Sequence, residues 1–315
     1  MTLKDLDRAE VTCLVDNIVD VLLPDTKIAY RPSLDENWFA HPLMAEHGFS
    51  AAIKLKVDGT ERRVLFDSGL DPLTASHNAL VLGLDLSSCE LVISDHGHVD
   101  HAGGLMNIRK KMNEKKQEQK IPLVLHQDAF RNRLVKFHDG RTINLPAPNR
   151  ADLTEAGYDL VEKQSQSLWI EDSILVTGEI PRTNDFEKGF PIHYSEIDGK
   201  MENDPLIKDD QAIILNIKDR GLVVISGCAH AGIINTIKYA MEMSNEDKIY
   251  SVIGGMHLSG EIFEPQIPRT IDELEQLKPE FVIPCHCSGL KVTTEIANNM
   301  SKAFIQNSVG TKYIS

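Results

Sequence analysis

"ISDHGHVDHAGG", residues 93–104, packs three histidines and two aspartates into the seven positions Asp95 to His101. It continues a short apolar run, "ELVISD" (90–95), that has the length and composition of a β-strand. In a loop leaving a strand, residues two apart can face one side, so His96 and His98 are set to grip one ion. Asp100 and His101, at the start of the next helix, are set to face a second. Imidazole with carboxylate suits zinc, iron or manganese, and paired ions lie roughly 3.5–4 Å apart in two-metal sites. Without an ion, so many polar rings beside a core would be costly. Ala102, Gly103 and Gly104 are expected to keep bulk away from the ions and to permit close helix–sheet approach.

Working outward, similar apolar, β-branched runs recur at 49–57, 63–67, 121–126, 173–178, 211–217, 221–227, 249–255 and 281–286. Helical stretches are expected at 72–83, 231–243, 267–278 and 290–304. Strands first, then repeated strand, loop and helix, indicate an α/β fold with helices outside the sheets. Residues 106–210 are less regular and read as a loop-rich insertion in one domain spanning 1–315, with "LPAPNRADL" (145–153) and "GFPIHYSEIDGKMENDP" (189–205) as long loops. Six strands end in a ligand-capable residue or group: Asp67, the histidine cluster, Glu179, Cys228 with His230, His257 and His286. Ligands gather at the carboxyl ends of strands in open α/β sheets, so one shared site is expected.

The 315 residues are 42% hydrophobic, 25% charged and 6% aromatic, and no apolar run approaches the roughly 20 residues a membrane span needs. The charged start, "MTLKDLDRAE", lacks the features of a secretory signal, and five cysteines without framework spacing suit a reducing compartment, so a cytoplasmic location is expected. A net charge of −14 disfavours nucleic acid, whose binding draws on cationic side chains. The basic cluster "RKKMNEKKQEQK" (109–120) reads as a solvated helix face. The expected partner is a small-molecule substrate.

The run "HGHVDHAGGL" carries H-x-H-x-D-H and resembles the metallo-β-lactamase-fold superfamily of binuclear metallohydrolases, with "LFDSG" similar to its first motif. The resemblance implies an αββα sandwich, two mixed sheets flanked by helices, with two metal ions at one sheet edge. "LVDNIVD" (14–20), "EHGFS" (46–50), "TGEIPR" (177–182), "ISGCAHAGIIN" (225–235), "GGMHL" (254–258) and "PCHCSG" (284–289) are similar to its dihydropterin synthase-like branch. That branch is labelled after a step joining a pterin pyrophosphate to an aminobenzene ribofuranosyl phosphate.

The resemblance assigns His96 and His98 to one metal, Asp100 and His101 to the other, and His286 as the last ligand. Where the superfamily has a further histidine, this chain has Glu179 in "LVTGEIPR", and where it has a bridging aspartate, Cys228 in "SGCAHAG". Either Glu179 or His230 completes the first metal; Cys228 either bridges as a thiolate or packs as a small apolar residue. Asp67 orients a ligand histidine or caps a turn, and His257 contacts substrate or metal or is structural. His47 is a candidate pocket-wall residue. His41, His77, His126, His138 and His193 receive no role.

Two divalent cations, zinc first and iron or manganese next, would share a water and supply hydroxide near neutral pH. The expected reaction is hydrolysis of an ester, lactone, thioester, amide or phosphoester by a bridging hydroxide. Asp100 would position that hydroxide, and His230 or His257 would steady the oxyanion or assist the leaving group. The rival enzymes are a synthase acting on a diphosphate donor and a diiron redox protein. A rival of another class is a non-catalytic metal or ligand binder.

Overall fold

In the computed structural model, residues 2–33, 38–113 and 119–315 are described. Two mixed sheets share one core. The first runs, edge to edge, through Tyr158–Glu162, Ile121–Leu125, Leu91–Ile93, Thr60–Phe66, Ser50–Val57, Ala9–Val15, Lys312–Ile314 and Ala29–Tyr30. Its first four strands are parallel and the remaining pairings antiparallel. The second runs through Ser167–Trp169, Ile174–Val176, Ala212–Ile217, Gly221–Ser226, Ile249–Gly254 and Phe281–Pro284, the last three parallel. Asp5–Leu6 crosses over to pair with Ala212–Ile217.

Strand periodicity explains the layering. In Ala212–Ile217, Ile213, Leu215 and Ile217 join a central core with Ile53, Val64, Phe66 and Ile93 of the first sheet. The alternate residues Ala212 and Ile214 face outward, where they meet Ile234 and Ile237 of helix Ile233–Ser244, Ile271 and Leu274 of helix Ile267–Leu277, and Val292 and Ile296 of helix Gly289–Asn299. On the far side of the first sheet, Leu65 and Val92 pack against Ala75 and Ala79 of helix Thr74–Val81 and Ile108 and Met112 of helix Leu105–Asn113. Helix, sheet, sheet, helix is the order of layers the H-x-H-x-D-H resemblance implied.

The stretch 106–210 is more regular than its sequence indicated. It carries all four strands of a third, antiparallel sheet ordered Lys200–Asn203, His193–Ile197, Arg133–Lys136 and Thr142–Leu145. "GFPIHYSEIDGKMENDP" is therefore a hairpin rather than a loop. Asp198 and Gly199 at its turn both have positive φ (51° and 75°), as a two-residue hairpin turn matching strand twist requires. The end of "LPAPNRADL" starts helix Arg150–Ala156, whose first turn is capped by the Asn149 side chain accepting from Ala151 N and Asp152 N. The basic cluster also needs correcting: Arg109 is buried, donating to the Gln119 carbonyl at 2.6 Å, while Lys110 and Lys111 are exposed. The part of that cluster at 114–118 lies outside the described residues. No helix among the described residues is long and apolar enough to cross a membrane.

Candidate metal centre

The strands that lead into the site belong to the parallel part of each sheet, so their carboxyl ends align and the loops that follow them meet. Asp67 follows Thr60–Phe66, the histidine cluster follows Leu91–Ile93, Cys228 and His230 follow Gly221–Ser226, His257 follows Ile249–Gly254, and His286 follows Phe281–Pro284. Asp67, Ala229, His257 and His286 all have left-handed backbones (φ 56°, 58°, 46° and 46°). Non-glycine residues rarely adopt that conformation, and it concentrates at functional sites.

Two adjoining groups of ligand atoms result: His96, His98 and His230, and Asp100, His101, Cys228 and His286, each with all its atoms within 4.8 Å of one another. His96 Nδ1 bonds Asp95 Oδ2 at 2.8 Å, and His96 Nε2 lies 3.2 Å from His230 Nε2. Two nitrogens sharing a tetrahedral ion at zinc–nitrogen bond lengths would stand roughly 3.3 Å apart. In the second group, His101 Nδ1 bonds Asp67 Oδ2 at 2.7 Å and its Nε2 lies 3.2 Å from Cys228 Sγ. His286 Nε2 is 3.3 Å from Asp100 Oδ2. The Nδ1 atoms of His230 and His257 are buried without a hydrogen-bond partner among the described residues. The His96 and His101 rings, whose outer nitrogens are tied to carboxylates, fit a cation at their inner nitrogens.

Burial pushes His96, His98 and His230 well below the ordinary histidine value, so these rings are neutral lone-pair donors. At His101 burial pulls the same way, but Asp67 and Asp100 outweigh it and push the ring up to about 10. Burial likewise raises Asp100, yet His101 and His286 hold it well below the carboxylate range. Burial pushes the Cys228 thiol up. The carboxylates at His101 thus favour positive charge there, beside a set of neutral donors.

Glu179 is not brought into either group. Its carboxylate, 38% exposed, faces His126 Nε2 at 3.4 Å and Lys208 Nζ at 4.0 Å, and His230 stands with His96 and His98 instead. His257 packs on His230 with ring centroids 4.1 Å apart and shares a further group with Cys228 and His230. His47 is mostly exposed, against His286 at 4.6 Å between centroids. Gly103 and Gly104 face the backbone of 68–70 rather than the ligand atoms: a Cβ at Gly103 would meet the Leu70 carbonyl at 2.0 Å.

Several supporting residues carry no local signal in the sequence. Asp209 Oδ2 accepts from Gly97 N at 2.8 Å and from Arg133 at 2.7 Å. Asp210 accepts from His230 N and Ala231 N. Asp16 accepts from His286 N at 2.6 Å, and the Asn17 amide donates to the His286 carbonyl, which gives "LVDN" a task. His193 Nε2 lies 3.2 Å from His98 Nε2.

The comparison with solved structures decides the fold. A metal-dependent hydrolase of the β-lactamase superfamily covers 96% of this chain and 98% of its own, with a TM-score of 0.69 and 22% identity. The metallo-β-lactamase fold protein YhfI from Bacillus subtilis covers 98% and 100%, with a TM-score of 0.52 and 10% identity. The chain has the metallo-β-lactamase fold. By sequence, this metallo-β-lactamase-fold chain is 28% identical over 283 residues to 7,8-dihydropterin-6-methyl-4-(β-D-ribofuranosyl)-aminobenzene-5'-phosphate synthase of Methanocaldococcus jannaschii, covering 87% of this chain and 92% of that one. An uncharacterized protein of the same organism is 29% identical over 287 residues, covering 88% and 98%. The likeness to the dihydropterin synthase-like branch read from the motifs is thus present along most of the chain. No family model matches it.

Proposed function

We propose that this metallo-β-lactamase-fold chain is a metal-dependent hydrolase of a small molecule, with two divalent cations. Zinc fits the histidine and thiol donors best. One observation carries the reading: the two ligand groups adjoin, with the His96 and His101 ring centroids 4.4 Å apart. Bound there, paired cations supply an activated water near neutral pH and polarise the oxygen of the bond under attack.

The residues divide the remaining work. His96, His98 and His230 hold one cation; Asp100, His101, Cys228 and His286 hold the other. The Asp100 side chain, 19% exposed, is the most accessible of these carboxylate and histidine donors, and its Oδ2 is suited to orienting the attacking water. His257, part-exposed beside His230, steadies negative charge on the substrate oxygen. A net charge of −14 supports a small substrate over nucleic acid.

A second reading is a condensation like that of the archaeal synthase, favoured by 28% identity along 87% of the chain. One experiment separates them. Protein loaded with Zn(II) is tested against lactones, thioesters, phosphodiesters and β-lactams, and separately with a pterin pyrophosphate and an aminobenzene ribofuranosyl phosphate. Hydrolysis that disappears in a His96→Ala, His98→Ala double variant supports the hydrolase; condensation without hydrolysis replaces it. A protein inert to both sets is a binder.

A further inference from the structure

We propose that His193 is a positioning residue for the three-histidine group: delivered by the third sheet, it accepts from His98 Nε2–H and so turns His98 Nδ1 toward the cation. This rests on the metal centre proposed above.

Proton accounting carries the argument. His193 Nδ1 lies 2.7 Å from the backbone carbonyl of Asp204, which can only accept, so that nitrogen bears hydrogen. The ring is buried and its Nε2 faces His98 Nε2; a ligand histidine keeps its one hydrogen on the nitrogen turned away from the ion, which at His98 is the nitrogen facing His193. His98 Nε2, 3.2 Å away, must be the donor. The nitrogen left bare on His98 is Nδ1. His96 is tied through Nδ1 to Asp95, leaving Nε2 bare. The two histidines of H-G-H therefore present different nitrogens to one ion.

The support is itself held firmly. Asp204 N donates to the His193 carbonyl at 3.0 Å, and Ser195 Oγ donates to Asp204 Oδ2 at 2.6 Å. Histidine ligands usually hand their outer N–H to a carboxylate, a carbonyl or water. Here the acceptor is another imidazole, brought by a strand 95 residues further along the chain. The hairpin that reads as loop in the sequence thereby becomes part of the metal centre.

Two variants and one spectrum test this. His193→Phe keeps the ring's bulk and removes the acceptor; His193→Gln restores an oxygen acceptor. Zn(II) affinity is measured for both sites by competition with a chromophoric chelator, and the histidine tautomers of the metal-free wild type are read by ¹⁵N NMR. The expected result is His98 in the Nε2–H form, a loss of roughly 10–100-fold in affinity at one of two sites in H193F, and recovery in H193Q. Unchanged affinity at both sites in H193F, or His98 in the Nδ1–H form, overturns the proposal. A wild type that takes up no Zn(II) overturns the metal centre instead, and the tautomer still decides the His98–His193 bond. If H193F does not fold, H193Q and the tautomer decide it.

Discussion

Asp209 and Asp210, neighbours in the chain, send their carboxylates to different ligand loops: Asp209 binds the amide of Gly97, between His96 and His98, while Asp210 binds the amides of His230 and Ala231. A single dipeptide thus sets the spacing of the three histidines. Asp209 is also paired with buried Arg133 at 2.7 Å.

Breaking that pair by Asp209→Asn leaves Arg133 buried and unmatched, and should cost about 3–5 kcal/mol in urea unfolding. Burial raises the Asp209 carboxyl, but Arg133 outweighs it and holds the group below the ordinary value. A carboxyl depressed in the folded state stabilises above its unfolded value, about 3.9, and that contribution fades as pH falls through the folded value. The stability gap between wild type and D209N should therefore be steady down to about pH 5 and narrow below about pH 4. Narrowing near neutral pH would contradict this assignment.

His230 and Glu179 make opposite predictions. His230→Ala should lose one of two bound zinc ions after desalting, measured by elemental analysis, because it removes a donor from a three-nitrogen group. Glu179→Gln should keep both, since its carboxylate faces His126 and Lys208. Zinc loss in E179Q with full retention in H230A would reverse the ligand assignment.

Cys228 tests whether the second group binds through sulfur. Burial keeps its thiol protonated, and only a coordinated ion would remove that proton near neutral pH. Cobalt-substituted wild type should show a thiolate-to-cobalt charge-transfer band in the near ultraviolet, absent in Cys228→Ser. If the wild type has no such band, Cys228 is packing rather than ligand.

Gly97 is required by space. A Cβ there would stand 1.9 Å from the Ala129 carbonyl, which is backbone and has little room to yield. Gly97→Ala should destabilise by about 1–3 kcal/mol and weaken zinc at the three-histidine group. Thermal melting of the metal-free protein and a zinc titration check the two effects separately.

The sequence by itself determined what depends on short range. "HGHVDH" brings four candidate donors together in one strand-to-helix loop whatever the rest of the fold does, and the continuous apolar run in "QAIILNI" and its counterparts announces strands, which the fold buries on both faces. Even the missed hairpin had a signal, Asp198–Gly199 between alternating residues, outweighed by the prolines and charges around it. Tertiary structure alone decided the rest. Glu179 and His230 were equal candidates because strand order and register, not spacing, set which strand end faces His96. His193, Asp209 and Asp16 act on residues 95, 112 and 270 positions away. No local pattern encodes such pairings; they exist only once two sheets close on a common core and their loops meet at one edge.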